Sequence, residues 1–194
     1  MARPKEFIEK NVLEKAMLLF WQKGYYQASI QDLVDAMGIN RASLYGAFTD
    51  KHSLYLLALE RYRQQDVSEL LQLFNRNLPA ASFFDAVFDN VIVGLTDDPD
   101  RKGCFLTNAT LEMLPDDLVV QNLITTNLTF LQEIFVEVLN KALINNELAK
   151  NTNPIDLANF FINQIYGLRM IGKAQPNLKL LNGIKNQALS VFLN

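Results

Sequence analysis

The sequence predicts an all-α fold of about nine helices. Three observations predict it. Apolar residues recur at spacings of three and four along most of the 194-residue chain. No segment alternates apolar and polar residues with a clean period of two, as a half-buried strand would. Breakers and caps such as Gly24, Gly38, Asn40, Asp97-Asp98-Pro99-Asp100 and Asn153-Pro154 mark the ends of the periodic stretches.

Each element follows from these signals. Over residues 6–23, Ile8, Val12, Ala16, Leu19 and Phe20 share one helical face, and Gly24 ends the segment. A short helix over 30–37 has Ser29 as N-cap, Asp32 three residues later as in a capping box, and Ile30, Leu33, Val34 and Met37 as its apolar face. Gly38 breaks it and Ile39 fills the gap to the next helix. Asn40 caps a third short helix from Arg41 to about Phe48. Asp50 caps a fourth, over 51–63, with Leu54, Leu57, Ala58 and Tyr62 as its stripe. Phe84, Phe88, Val91 and Leu95 mark a fifth, which Asp97-Asp98-Pro99-Asp100 stops. A short segment over 103–113 is closed by Leu114-Pro115. Val120, Ile124, Leu128, Leu131, Phe135, Val138 and Ala142 then hold the period through a long helix, 116–148. Asn153-Pro154 opens a helix to about Gly172 with Leu157, Phe161, Leu168 and Ile171 inside. Asn177 opens the last, with Leu181, Ile184, Ala188 and Val191.

Composition narrows the function classes. Hydrophobic residues make up 49% and charged residues 20%, as in a folded protein rather than a disordered one. No apolar run approaches the roughly 18 residues that span a bilayer, so no membrane partner is expected. The opening Met1-Ala2-Arg3-Pro4-Lys5-Glu6 leads directly into an amphipathic segment without a secretory signal, so a cytoplasmic protein is expected. One cysteine, Cys104, and one histidine, His52, supply neither a disulfide nor a Cys/His zinc site; no metal and no cofactor are expected. No nucleophile–base pair or glycine-rich phosphate loop stands out, so a small helical enzyme is the weaker alternative, together with a protein-interaction adaptor.

Residues 29–51 hold the informative unit. Two short helices joined through Gly38 fit a helix-turn-helix, whose second helix enters the DNA major groove. Leu44 and Phe48 give that helix an apolar underside, and Arg41, Ser43 and Tyr45 give its start hydrogen-bond donors. The pattern Ala16, Phe20, Gly24-Tyr25, Ser29-Ile30, Asp32-Leu33, Ala36-Met37-Gly38-Ile39, Ser43-Leu44-Tyr45, Phe48, Lys51 and Leu54 resembles the TetR family of transcriptional regulators between about Val12 and Tyr62. The resemblance implies a DNA-binding domain over 1–50, a fourth helix over 51–63 as connector, and an effector-binding and dimerisation domain over 64–194. It also implies a palindromic operator bound by a homodimer, a small-molecule effector, and repression as the commoner habit.

Roles follow residue by residue. Arg41 can reach guanine bidentately or rest on a phosphate. Ala42 and Gly46 are small enough for close approach to bases. Tyr45 and Lys51 match family positions that hold phosphates, their plainer alternatives being a core tyrosine and a solvated charge. Ser29 caps its helix and can bind phosphate there. Ala28 stands where many members have threonine, and Ala42 where close relatives often have proline. His52 is expected at the surface, with a minor phosphate contact at most. Arg3 and Lys5 form a basic tail that could reach into a groove but is expected to be disordered, with transient phosphate contact.

In the remainder, Arg101-Lys102-Gly103-Cys104-Phe105-Leu106 resembles a Gly-Cys-Leu-type motif of a TetR subset, some of which respond to electrophiles or oxidants. Gly103 as cap would put Cys104 in a helix's first turn, where the helix end and adjacent cations favour thiolate, with Lys173 as a further neighbour. The plainer alternative is a small buried hydrophobe, which cysteine's habit of burial favours. Cys104, Phe105, Asn108, Glu112, Phe135, Gln164 and Arg169 are the effector-pocket candidates; Asn163 is another polar residue on these apolar helices. Surplus apolar residues on the last two helices, over about 154–193, point to a two-fold dimer interface: Phe160, Phe161, Ile165, Leu168, Leu178, Leu180 and Leu181. The formal charge is −3, but residues 1–63 hold 9 Lys and Arg against 7 Asp and Glu, a net of +2. An acidic chain with a mildly basic head is compatible with DNA.

Overall fold

A computed structural model describes residues 5–192, with side chains over 11–192. Among the described residues the chain is all-helical, as expected: α1 (Lys5–Lys23), α2 (Ile30–Met37), α3 (Arg41–Phe48), α4 (Lys51–Phe74), α5 (Ala80–Thr96), α6 (Phe105–Met113), α7 (Leu118–Ile144), α8 (Pro154–Ala174) and α9 (Leu178–Leu189), closed by a 3₁₀ turn, Ser190–Phe192. Arg3 and the side chains of Lys5 and Ile8 lie outside the described residues.

The helices form two compact units. The first combines the described residues up to Asp66 with Cys104–Leu123. The second combines Val67–Gly103 with the described residues from Ile124 onward. The segment 104–123 therefore packs with the N-terminal helices, although the sequence reading assigns it to the effector domain.

In the first unit α1 packs on α2 and α2 on α3. Ala16, Met17 and Phe20 of α1, Leu33 and Met37 of α2, Leu44 and Phe48 of α3, and Leu54, Tyr55, Ala58 and Leu59 of α4 are buried. Phe105, Leu106, Ala109 and Met113 of α6 are buried as well. Edge-to-face aromatic contacts bind the parts together: Tyr55 meets Phe20 at 5.0 Å, Tyr25 at 4.9 Å and Phe105 at 5.6 Å between centroids.

The second unit packs α5 against α8 and α9. Its centre is a phenylalanine stack: Phe84 lies on Phe161 at 4.0 Å, with Phe135 edge-on at 5.0 Å and Phe192 stacked on Phe161 at 5.8 Å. Lys185 of α9 reaches Asp89 at 2.6 Å and Asp85 at 3.0 Å, both on α5. Gly172 of α8 lies so close to Leu95 that an added Cβ would meet its methyl at 2.5 Å.

Several boundaries differ from expectation. α4 runs to Phe74 rather than 63, because no breaker precedes Asn75 and Leu70 and Leu73 continue the buried stripe. α7 starts at Leu118, where the Asp117 side chain accepts the N–H groups of Val119 and Val120. It ends at Ile144 rather than 148, since Asn146 is left-handed (φ 58°) and the Glu147 N–H donates back to the Ala142 carbonyl. Leu57, Leu128 and Ile171, expected inside, are exposed. Val191 lies in the closing 3₁₀ turn rather than in α9.

Replacing Phe161 by alanine should destabilise the protein by about 3–5 kcal/mol, read as a lowered denaturant midpoint. Gly38→Ala should cost less, about 1–2 kcal/mol, since only its left-handed backbone (φ 70°) resists a side chain there.

Candidate nucleic-acid interface

α2 and α3 are eight residues each, too short to persist alone in water. Caps and burial hold them. The Ser29 hydroxyl accepts the Asp32 N–H at 3.0 Å, and the Asp32 carboxylate accepts the Ser29 N–H at 2.9 Å, the reciprocal pair expected from sequence. Lys23 of α1 adds an ion pair to Asp32 at 2.8 Å. This lysine, and then the Ser29 donors, hold the Asp32 carboxyl well below the usual carboxylate range. Gly38 turns the chain, its N–H donating to the Val34 carbonyl. Asn40 then caps α3 by accepting the Ser43 N–H at 2.8 Å.

Within α3 only Leu44 and Phe48 are buried. Arg41, Ala42, Ser43, Tyr45, Gly46 and Ala47 all face solvent. Tyr45 is 44% exposed, so it is not a core tyrosine. A Cβ on Gly46 would meet nothing within 4 Å, which leaves room for close approach to a base. Ser29 is exposed at the start of α2. Ala28 is fully buried, so its side chain packs inward and faces no phosphate.

Lys51 opens α4 with its ammonium 4.5 Å from the centre of the Tyr25 ring. Partial burial lowers its pKa, against the opposing pull of Glu112. The Tyr25 turn is itself held from α6. Glu112 Oε2 accepts the Tyr25 N–H and Oε1 the Tyr26 N–H, each at 2.9 Å. Gly24 precedes them with φ 82°, and a Cβ there would lie 2.8 Å from Glu112 Oε2. Glu112, an effector-pocket candidate by sequence, is thus engaged with the backbone of the α1–α2 turn.

His52 is corrected. Its Nε2 lies 2.6 Å from Asp117 Oδ2 rather than standing as a loose surface group. Burial pushes the Asp117 carboxyl up, but the Val120 N–H and His52 outweigh it, and the net shift is downward. The sequence reading missed both carboxylates' partners. Asp117 three residues before Val120 was an available capping signal; nothing local announced Glu112.

The other effector candidates scatter. Cys104 is 2% exposed and is the N-cap of α6 rather than a first-turn residue, because Gly103 (φ 69°) stands one position before the cap. The Lys173 stem crosses Gly103, its Cδ 2.9 Å from where a Cβ would stand. Phe105 is buried in the first unit's aromatic cluster, and Asn108 is half-buried on α6. Phe135 belongs to the second unit's phenylalanine core, and Arg169 is half-buried on α8. Gln164 lines an open groove of about 710 Å³ between α8 and α9 with Phe160, Leu180, Gly183, Ile184 and Gln187. The remaining six candidates line neither this groove nor a cavity of about 320 Å³ beside Phe74 and Phe83.

The sequence profile described as bacterial regulatory proteins, tetR family, matches residues 12–58. The profile of the tetracyclin repressor-like C-terminal domain matches residues 84–182. The chain belongs to the TetR family. It is a DNA-binding transcriptional regulator rather than an enzyme, which sets aside the enzyme and adaptor alternatives. Among its relatives, the HTH-type transcriptional repressor ComR of Escherichia coli (strain K12) is 28% identical over 191 residues, covering 98% of this chain and 91% of ComR. The uncharacterized HTH-type transcriptional regulator YezE of Bacillus subtilis (strain 168) is 27% identical over 193 residues, covering 99% of this chain and 100% of YezE. Among solved structures, a cysteine mutant of the TetR family regulator CifR, complexed with 26-bp double-strand operator DNA, superposes with a TM-score of 0.84 at 25% identity, covering 98% of this chain and all of that one.

Asp117 has a lower pKa folded than unfolded, so its contribution to stability exists above the ordinary aspartate value and is lost as pH falls through the folded value. The stability difference between the wild type and Asp117→Asn in melting curves should therefore be present at pH 5 and shrink only as the pH falls below the ordinary aspartate value of about 4.

Proposed function

We propose that the chain is a cytoplasmic, dimeric repressor whose α3 reads a palindromic operator and whose C-terminal portion answers a small-molecule effector. One observation carries the reading: α3 is anchored by Leu44 and Phe48 and capped by Asn40, and its other side chains are open to solvent. In this reading Arg41 contacts base edges, Ala42 and Gly46 let the helix sit close, and Ser43 and Tyr45 donate to DNA. Ser29 and Lys51 hold phosphates on either side. Family membership, the repressor name of ComR and the operator complex of CifR support it. No helix among the described residues is long and apolar enough to cross a membrane.

The dimer reading is supported by what α8 and α9 leave uncovered. Phe161, Ile165, Leu168 and Leu181 are buried within the unit, but Phe160, Leu178 and Leu180 remain exposed, with Phe160 and Leu180 lining the groove. A second copy of this face would cover them about a two-fold axis and set two α3 helices roughly 34 Å apart, one turn of DNA. The effector reading is supported by the match of residues 84–182 to the repressor-like C-terminal domain. Burial of Cys104 favours packing over an electrophile sensor.

Arg41→Ala should weaken operator binding by roughly 5- to 150-fold without lowering the melting temperature, measured by fluorescence anisotropy on a duplex selected from a random pool. A folded dimer without salt-dependent DNA binding would overturn the proposal. Leu180→Asp should convert the dimer to monomer in sedimentation and weaken palindrome binding while half-site binding persists.

A further inference from the structure

We infer that Glu112 is a positioning residue for DNA reading: seated on the amides of Tyr25 and Tyr26, its carboxylate holds the α1–α2 turn in the DNA-competent arrangement. The inference rests on the DNA-reading assignment above and adds a residue that touches no DNA.

The seat is a built one. Two consecutive backbone N–H groups converge on the two oxygens of one carboxylate, each at 2.9 Å, from residues 86 and 87 positions away. The preceding Gly24 has φ 82°. A left-handed residue followed by consecutive inward-facing amides is the backbone nest that binds anions, and here a side chain of the same chain fills it. Gly24 has no side chain to obstruct it, and any Cβ would collide with the carboxylate at 2.8 Å.

What the seat holds is the front of the reading head. The same turn leads within three residues to Ser29, the cap of α2. Through the Tyr25 ring it supports the Lys51 ammonium at 4.5 Å. A contact path therefore runs from the Glu112 carboxylate through the Tyr25 backbone and ring to a cation expected on phosphate. Hydrogen bonds to charged acceptors are the stronger kind, so removing the charge should shift the turn's population measurably.

The test uses the full-length chain and the palindrome it selects from a random duplex pool. Glu112→Gln keeps the shape but sets an amide NH₂ against a backbone N–H. Gly24→Ala obstructs the seat from the other side. Each should lower affinity for the palindrome about tenfold or more and weaken non-specific binding with it, because the cation that the turn supports is expected on phosphate. The double variant should be little weaker than either single one, because both remove the same contact. A folded Glu112→Gln chain with wild-type affinity, or a double variant whose loss is the product of the two single losses, overturns the inference. Should a variant fail to fold, hydrogen exchange on the wild type decides: the Tyr25 and Tyr26 amides should exchange more slowly with operator bound, and unchanged exchange overturns the inference. Arg41→Ala separates the two readings. If it binds the palindrome like wild type, the DNA-reading assignment falls and the inference with it. If Arg41 matters and Glu112 does not, the inference alone falls.

Discussion

The burial of Leu44 and Phe48 is the constraint on which the reading head depends. Eight residues cannot hold a helix in water by their own hydrogen bonds, and α3 contains Gly46 and no strong ion pair to help. Two apolar side chains, four residues apart, pin it to the rest of the unit, and Asn40 satisfies its first turn. That anchoring is economical in surface. It fixes the helix along one edge and leaves the opposite edge chemically uncommitted, which is what a helix entering a groove requires.

Local signals made much of this legible in the sequence. Capping boxes, the glycine at 38 and the period of apolar residues depend on neighbours within four positions, so α2 and α3 came out with the observed ends. The signals fail where the partner is distant. Glu112 read as a polar residue stranded on an apolar helix, because its acceptor role is defined by amides more than eighty residues earlier. His52 read as a surface group for the same reason, its partner being Asp117. Leu57, Leu128 and Ile171 fit the apolar stripes yet stay exposed, since periodicity says which face is apolar but not how wide the covering surface is. The exposed surplus on α8 and α9 was legible as composition; which residues remain uncovered was not.

The electrostatic reading changes with the unit boundaries. Residues 1–63 alone are mildly basic, but the segment 104–123 brings Glu112, Asp116 and Asp117 and no cation. Taken over its full sequence span, the first unit holds 9 Lys and Arg against 11 Asp and Glu, a net of −2. Two of the added carboxylates are engaged: Glu112 by two amides, Asp117 by two amides and His52. In the proposed reading, attraction to DNA is therefore local, at exposed cations such as Arg41 and Lys51, rather than a field of the whole unit. Such an arrangement limits indiscriminate binding to the phosphate backbone and gives contacts to bases a larger share of the affinity.

The exposure pattern of α3 has a consequence for how such a protein changes over time. Stability resides in Leu44, Phe48 and the Asn40 cap, whereas the proposed reading puts recognition on Arg41, Ala42, Ser43, Tyr45 and Gly46. The two sets share no residue. In that reading, substitutions among the five alter the DNA text without unfolding the reader, since exposed positions usually shift stability by no more than about 0.5 kcal/mol. A duplicated copy could drift to a new operator while its scaffold stayed intact.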